Sequence, residues 1–470
     1  MIHIYKFIGL NIVLDVNSGA VHTVSDAVYD ILSCCPGGLH EEKFADALQS
    51  LSAKHPAEVL QEARDEICGL AAEGLLYSSA PVEEEVSPEG RGAVIKAMCM
   101  HVAHDCNMRC EYCFADTGGF SGARGLMPLG TGKQAIDFLL EQSGDRRNLE
   151  IDFFGGEPLM NFDTVKALVM YGRSREAHYG KHIRFTITTN GLLLDDENMR
   201  FINEHMDNVI LSIDGRPVVN DRMRKALNGS GSYGHVIGKM AKFVDMRLRG
   251  NGSGISVGSP LYFVRGTYTA FNKDFSEDVK HLAGLGFENI SVEPAVTAGD
   301  EEWALTEADL PELFLEYDRL AGLVLDSEQA GKPVTFFHFK VDLEQGPCVF
   351  KRGAGCGAGT AYVAVTPDGD IYPCHQFVGE PGFLLGNVKD SRFENKLFDM
   401  FERAHIYSKQ ECRGCWAKYY CSGGCHANAL HIEGDIMKPH SLSCELEKKR
   451  LECAIGLAAK RAGSIPIASL

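Results

Sequence analysis

The stretch CNMRCEYC sets Cys106, Cys110 and Cys113 within eight residues, spaced C-x3-C-x2-C, in a chain of 16 cysteines and 17 histidines. Structural zinc is closed by four ligands, and no fourth stands beside these three; an accidental cluster of thiols is the other plain reading. A 4Fe-4S cube held by three thiolates leaves one iron free to bind a further group. That accounts for the count of three. A second field of thiols lies between 348 and 444: Cys348, Cys356, Cys374, Cys412, Cys415, Cys421, Cys425 and Cys444. Within it CRGCWAKYYCSGGC, taken alone, reads as a zinc ribbon.

The rest of the chain must position these groups. Its 470 residues suggest about three domains. A net charge of −18 argues against a nucleic-acid or anionic-membrane partner, because phosphate contacts need concentrated Lys and Arg. Residues 1–30 lack the apolar core of a signal peptide, and no run nears the roughly 18 apolar residues of a membrane span. The expected location is the cytoplasm, where so many cysteines are not mostly disulfides and clustered ones read as ligands. Cys34, Cys35, Cys68, Cys99 and Cys453 stand apart and read as buried or incidental thiols.

Residues 1–80 form a first unit. IHIYKF and NIVLDVNSGAVHTV have the alternation and turn chemistry of paired strands, helical stretches follow near 24–34, 40–49 and 56–75, and GLLYSS reads as a closing strand. Residues 81–95, acidic and bearing Pro and Gly, read as a linker. From 96 to 295 the runs AMCMHVAH, LEIDFFG, IRFTITTNG, NVILSIDG, ISVGSPLYFV and NISVEPA alternate with helical stretches. That pattern predicts an α/β fold of repeated βα units around a parallel sheet, with ligands at the carboxyl ends of the strands. Residues 296–345 read as a helical bridge. Residues 346–450 are loop-rich and end in a helix from about 444, ahead of a C-terminal helix and tail at 451–470.

With Tyr112 as its aromatic, C-x3-C-x-aromatic-C resembles the signature of the radical S-adenosylmethionine (SAM) superfamily. The resemblance implies a partial (β/α)6 barrel in which Cys106, Cys110 and Cys113 hold a catalytic cluster. Its free iron chelates SAM, and an electron from it releases a 5′-deoxyadenosyl radical. GGEP then supplies Gly155 and Gly156, which let backbone approach the ligand without a Cβ, followed by Glu157 and Pro158; Glu157 can accept from the SAM ammonium. TITTNG and SIDG resemble SAM-contacting segments and offer Thr186, Asn190, Ser212 and Asp214, although Asn190 and Asp214 also suit plain turns. Arg224 matches the SAM carboxylate as a guanidinium fork, or stands as an exposed helical arginine.

The second field resembles the SPASM domain, which holds two auxiliary 4Fe-4S clusters in radical SAM enzymes that modify peptides; three clusters are thereby implied. By that family's interleaved pattern Cys412, Cys415, Cys421 and Cys444 ligate the outer cluster, and Cys356, Cys374 and Cys425 the inner one. The first unit resembles a winged-helix-like peptide-recognition element that takes a precursor's leader as an added strand, with plain packing as the other reading. Over nearly its full length the chain resembles maturases that install thioether cross-links in SCIFF precursors, ribosomally made Cys-rich peptides. This implies a Cys sulfur joined to a carbon of an acceptor such as Thr, and a flavodoxin- or ferredoxin-type electron donor. A sulfatase-maturing enzyme is the neighbouring alternative, but such proteins carry an Asp after the cysteine matching Cys374, where this chain has His375. A metal-stabilised peptide binder without turnover is the third. The sequence assigns Glu293 no role.

Cys348 is either the fourth ligand of the inner cluster or absent from it, leaving an iron open to a substrate thiolate, the reading we favour. Cys348→Ala is then expected to leave iron per chain unchanged after anaerobic reconstitution; loss of one cluster's iron decides for ligation.

Overall fold

The computed structural model describes residues 1–80, 94–120, 122, 124–249, 261–343, 355–390 and 396–463. Cys348 and all but two residues of the expected linker fall outside them. The chain opens with β1 (Ile2–Phe7), β2 (Leu10–Asp15) and β3 (Val21–Val24), an antiparallel sheet in that order. Helices Asp26–Cys34, Glu41–Leu51 and Ala57–Ala72 follow, the first capped by the Ser25 side chain, which accepts from the Val28 N–H at 3.3 Å.

Strand alternation gives this small sheet two apolar faces. Ile2 and Val13 pack with Val28, Ile31, Leu60 and Ile67, whereas Tyr5, Phe7, Ile12 and Leu14 join the main core of the protein. The second face lies against the helix Ser441–Gly463. A Cβ on Gly456 would sit 2.3 Å from the Phe7 ring, and the Tyr5 hydroxyl donates to the Glu452 carbonyl at 3.0 Å. His3 stacks on Trp416 with ring centroids 3.8 Å apart. The first unit is therefore built into the body of the protein.

GLLYSS is not a strand. Tyr77 takes a left-handed φ of 54°, and both the N–H and the hydroxyl of Ser78 turn to the carboxylate of buried Asp15. Burial pushes the Asp15 carboxyl up, but the bonds from Ser78 and Ser18 outweigh it and leave the group below its ordinary value.

All six predicted barrel runs contain strands. They are β4 (Ala97–His104), then after short β5 (Met108–Cys110) and β6 (Gly125–Leu126), β7 (Asn148–Gly155), β8 (His182–Thr189) and β9 (Asn208–Ser212); after short β10 (Arg224–Ala226) come β11 (Leu261–Tyr268) and β12 (Asn289–Pro294). They lie parallel in the order β4-β7-β8-β9-β11-β12. Residues 255–260 of the fifth run lie outside the described residues. Helices Leu129–Gln142, Phe162–Tyr179, Asp196–His205, Tyr233–Arg249 and Phe275–Gly284 stand between the strands. Leu149, Ile151 and Phe153 of β7 and Ile183, Phe185 and Ile187 of β8 are fully buried in the core with residues of these helices. The same period of two turns Glu150, Asp152 and Phe154 to the opposite, inner face.

After helix Leu310–Gln329, β13 (Thr335–Phe336) pairs with β12. At the other edge β14 (Tyr362–Val365) pairs parallel with β4, and β15 (Asp370–Tyr372) and β16 (Gly386–Asn387) extend the sheet antiparallel. The cysteine-dense region thus continues the barrel sheet, which the short apolar run YVAV did not announce. Helix Ser441–Gly463 is continuous, so the expected division at 450 falls inside it. Among the described residues no helix is long and apolar enough to cross a membrane.

Because Phe7 is the plug between the small sheet and Gly456, Phe7→Ala is expected to cost about 3–5 kcal/mol. Urea unfolding of the whole chain reads this as a lowered midpoint; a change within experimental error would mean that the first unit hangs free of the body.

Candidate functional site

The carboxyl ends of β4 and β7 build the three-thiol site. β4 runs into Asp105 and Cys106, and β5 then pairs antiparallel with β10, Cys110 opposite Arg224. The Cys113 N–H donates to the Cys110 carbonyl at 3.3 Å. Burial pushes the Cys106 thiol up to about 12, Glu157 and the two other thiols adding to it. Cys110 rises to about 11 for the same first reason, with Arg224 pulling against it. Left to burial these thiols stay protonated; coordination to a metal reverses that outright, so the donor set fits a cationic iron cluster.

Gly155 and Gly156 press against the end of β4. A Cβ on Gly155, whose φ is 122°, would lie 2.1 Å from the Ala103 carbonyl oxygen, and one on Gly156 2.0 Å from that of Asp105. Their bare backbone lets the ends of two neighbouring strands touch. The Gly156 N–H donates to Ala103 O at 2.8 Å and the Glu157 N–H to Asp105 O at 2.9 Å. The β4–β7 register slips between His101 and Ala103, an irregularity of the kind that re-aims a chain beside a site. Gly118, which sequence reasoning missed, closes the other side: a Cβ there would meet Cys106 Cβ at 2.8 Å. Asp105 accepts from the Cys106 N–H at 2.8 Å and pairs with Arg124, while Arg109 donates to the carbonyls of Cys106 and Met108 at 2.7 Å each.

The buried Glu157 accepts from the Thr189 hydroxyl (2.7 Å), the Leu159 N–H (3.0 Å) and the Asn190 N–H (2.8 Å). Three of its roughly four acceptor positions are spent on the protein, which leaves room for one outside donor. Burial raises its carboxyl and these bonds offset part of the rise. Pro158 starts the short turn that follows. Asn190 straps the cysteine loop: its Nδ2 donates to Asn107 Oδ1 at 2.8 Å and stands 3.7 Å from Cys106 Sγ. Asp214 accepts from the Tyr112 hydroxyl with both oxygens at 2.8 Å and from the Thr267 N–H at 3.0 Å. Arg224 is buried rather than exposed and donates to the Tyr112 oxygen at 2.9 Å. Thr186 and Ser212 lie half-buried on the inner faces of β8 and β9.

The later cysteines form two groups. Cys412, Cys415, Cys421 and Cys444 line one cavity of about 390 Å³, far larger than a single zinc with ligands at about 2.3 Å would need. Among the described residues no three His, Cys, Asp or Glu side chains close on one point as a single ion requires. Burial pushes Cys412 and Cys444 to about 11 and Cys421 to about 12. Cys374, pushed up to about 12 by burial, also feels Cys425 and Cys356. Between the groups Ser422, Gly423 and Gly424 take φ of 64°, 91° and 75°, a run that glycine makes affordable. Lys409 is buried there, donates to the Gly423 carbonyl at 2.8 Å and faces thiols of both groups.

A family model described as a 4Fe-4S single cluster domain matches residues 89–237, and the SPASM model, an iron-sulfur cluster-binding domain, matches 356–416. With these two matches the chain is similar to radical SAM proteins with a SPASM domain. Among curated relatives it is similar to the radical SAM cyclopropyl synthase TigE of Paramaledivibacter caminithermalis, 24% identical over 76% of this chain and 73% of TigE. It is likewise similar to a cysteine-type anaerobic sulfatase-maturating enzyme of Clostridium perfringens, 26% identical over 68% of this chain and 85% of that enzyme. In fold it resembles Streptococcus suis SuiB bound to its precursor peptide SuiA, with a TM-score of 0.54 at 15% identity, covering 94% of this chain and 100% of SuiB.

The three-thiol loop and the SPASM-matching region meet through aromatic rings. His375 rests on Phe154 and on the exposed ring of Phe114, with centroids 5.2 and 5.5 Å apart, and its Nδ1 lies 3.3 Å from the Tyr362 hydroxyl. Phe114 directly follows Cys113, and His375 directly follows Cys374. Glu293 joins Arg265 (2.6 Å) and His338 (3.3 Å). Of the residues missed, Asp105 and Asp152 carried a signal: an acid against Cys106, and an acid inside the apolar LEIDFFG.

Gly156→Ala is expected to block the three-thiol site, lowering iron per chain and abolishing SAM cleavage while the circular dichroism of the fold persists. Full iron content in this variant would show that β4 and β7 can separate without loss of the site.

Proposed function

We propose that the chain is a peptide maturase that installs Cys thioether cross-links, sulfur to a carbon of an acceptor such as Thr, in a ribosomally made Cys-rich precursor of the SCIFF type. The observation that carries this reading is the ring contact in which Phe114, beside Cys113, meets His375, beside Cys374. A substrate carbon presented to the first cysteine group and a sulfur presented to the inner auxiliary group would meet beside that contact.

When bound, SAM and the cluster at Cys106, Cys110 and Cys113 supply the hydrogen-abstracting 5′-deoxyadenosyl radical. The chain's own residues do the rest. Tyr112, Asp214 and Arg224 fix the far side of the cysteine loop through buried hydrogen bonds, and Glu157 and Asn190 offer groups to the cofactor from the near side. Holding the target hydrogen in place matters because misplacement by about 1 Å costs on the order of a hundredfold. The cavity of Cys412, Cys415, Cys421 and Cys444 suits a second cluster, and Cys356, Cys374 and Cys425 a third. Lys409 between them favours an added electron. The precursor's leader would add to the β1-β2-β3 sheet at an edge, as an extended peptide does at exposed strands, and a flavodoxin or ferredoxin would deliver electrons.

The sulfatase-maturing relative supports formylglycine formation as a second reading; His375 in place of an acid argues against it.

Anaerobic, reduced protein given SAM and a Cys- and Thr-rich precursor is expected to yield 5′-deoxyadenosine and a peptide lighter by two hydrogens per cross-link. Formylglycine in a sulfatase peptide, with the precursor untouched, would decide for the second reading. Absence of 5′-deoxyadenosine would leave only a binding role.

A further inference from the structure

Among the described residues, the inner face of the barrel carries one acid with a buried oxygen that has no hydrogen-bond partner. Asp152 lies mid-strand on β7, three residues or about 10 Å before Gly155. It is in register with Cys99 of β4 and Thr186 of β8, and Thr186 in turn with Asn208 of β9. Its Oδ1 is sealed from solvent with no hydrogen-bond donor, and Asn208 Oδ1 is in the same state. Asp152 as a residue is half-buried. The large majority of buried side-chain polar atoms are paired, and an acid left without a donor calls for a partner that the protein alone does not provide.

The neighbouring charges are already committed. Arg265 on β11 bonds Glu293 on β12 at 2.6 Å, and His338 takes the other oxygen of Glu293 at 3.3 Å. Cys99 on β4 and Tyr362 on β14, which also face Asp152, are pushed well above their ordinary values, first by burial, and stay neutral. Glu150 on β7 itself adds repulsion. Tyr362 links this level of the barrel to His375 and so to the rings of Phe114 and Phe154.

We propose that Asp152 is the proton acceptor of the reaction, taking the proton from the substrate heteroatom that becomes bonded to the peptide carbon. This rests on the thioether reading, in which that atom is a cysteine sulfur. The S–H bond breaks, its electron pair stays on sulfur, and an O–H bond forms on the Asp152 carboxylate. Joining of the thiolate to the substrate carbon radical then forms the S–C bond and releases one electron, whose acceptor is an iron-sulfur cluster held by the C-terminal cysteines. Burial lifts the Asp152 carboxyl from 3.8 to about 7 against the pull of Arg265, so both protonation forms are present near neutrality, where a general base is most effective.

The sign of its linkage to stability is fixed. A carboxyl raised in the folded state holds a proton that the unfolded chain has lost, so stability falls as pH rises from about 4 to about 7 and levels off above.

The test compares wild type with Asp152→Asn, both reconstituted. Asp152→Asn is expected to lower the ratio of cross-linked peptide to 5′-deoxyadenosine at least a hundredfold. It should also remove the rise of wild-type product formation through about pH 7, and Asp152→Glu should restore part of both. A ratio within twofold of wild type, or the same pH profile, overturns the proposal. If wild type modifies a peptide by another chemistry, the thioether reading falls and the same ratio, taken on that product, still tests Asp152. If wild type modifies nothing, unfolding decides. Asp152→Asn should gain stability relative to wild type between pH 5 and pH 8, and a constant difference over that range overturns Asp152 as a group that titrates there.

Discussion

The whole site depends on a backbone contact with no room for a methyl group. Gly155 and Gly156 press against the carbonyls of Ala103 and Asp105 so closely that a Cβ would stand about 2 Å from each oxygen. The two N–H bonds across this contact fix where β4 ends, and so where Cys106 begins. Asp105, Arg109, Gly118 and Asn190 then take the loop from four sides. What the radical SAM family needs from this loop is three thiols fixed in relation to one another, with a gap where a fourth would stand. A rigid strand end supplies that better than a free loop could.

The second constraint is sheet continuity. β14 lies beside β4, so the SPASM cysteines are reached without leaving the barrel sheet. His375 and Phe114 meet across the join. On the far side of the molecule the helix Ser441–Gly463 begins at the four-thiol cavity, since Cys444 is in its first turn, and ends under the N-terminal sheet, where Gly456 receives Phe7. The same helix thus ties the first strands of the chain to an auxiliary cysteine group. His3 on Trp416, next to Cys415, repeats that tie.

Much of this could be read from residue types and spacing, because local chemistry and architecture agreed. The six barrel runs are short apolar stretches that alternate with helical ones, and each holds a strand. The cysteine spacings were equally plain. Contacts that depend on which distant residue comes near could not be read. GLLYSS fails as a strand because Asp15, some sixty residues earlier, claims Ser78. Gly155 and Gly156 were marked as special, but their partners turned out to be another strand's carbonyls. Arg224 of DRMR could be read as a fork for the SAM carboxylate or as an exposed arginine, and its burial on Tyr112 could not be foreseen. Asp152 stood out only as an acid in an apolar strand, and gains its meaning once Arg265 is seen bound to Glu293.

The central claim is that the loop of Cys106, Cys110 and Cys113 holds a cluster with one iron open to SAM. Electron paramagnetic resonance of the reduced, reconstituted protein tests it most directly, with and without SAM, in wild type and in a variant with these three cysteines changed to alanine. The account predicts a cluster signal in wild type whose g-values move when SAM is added, and its complete absence from the variant. A wild-type spectrum indifferent to SAM, or a SAM-dependent signal that survives in the variant, would contradict it.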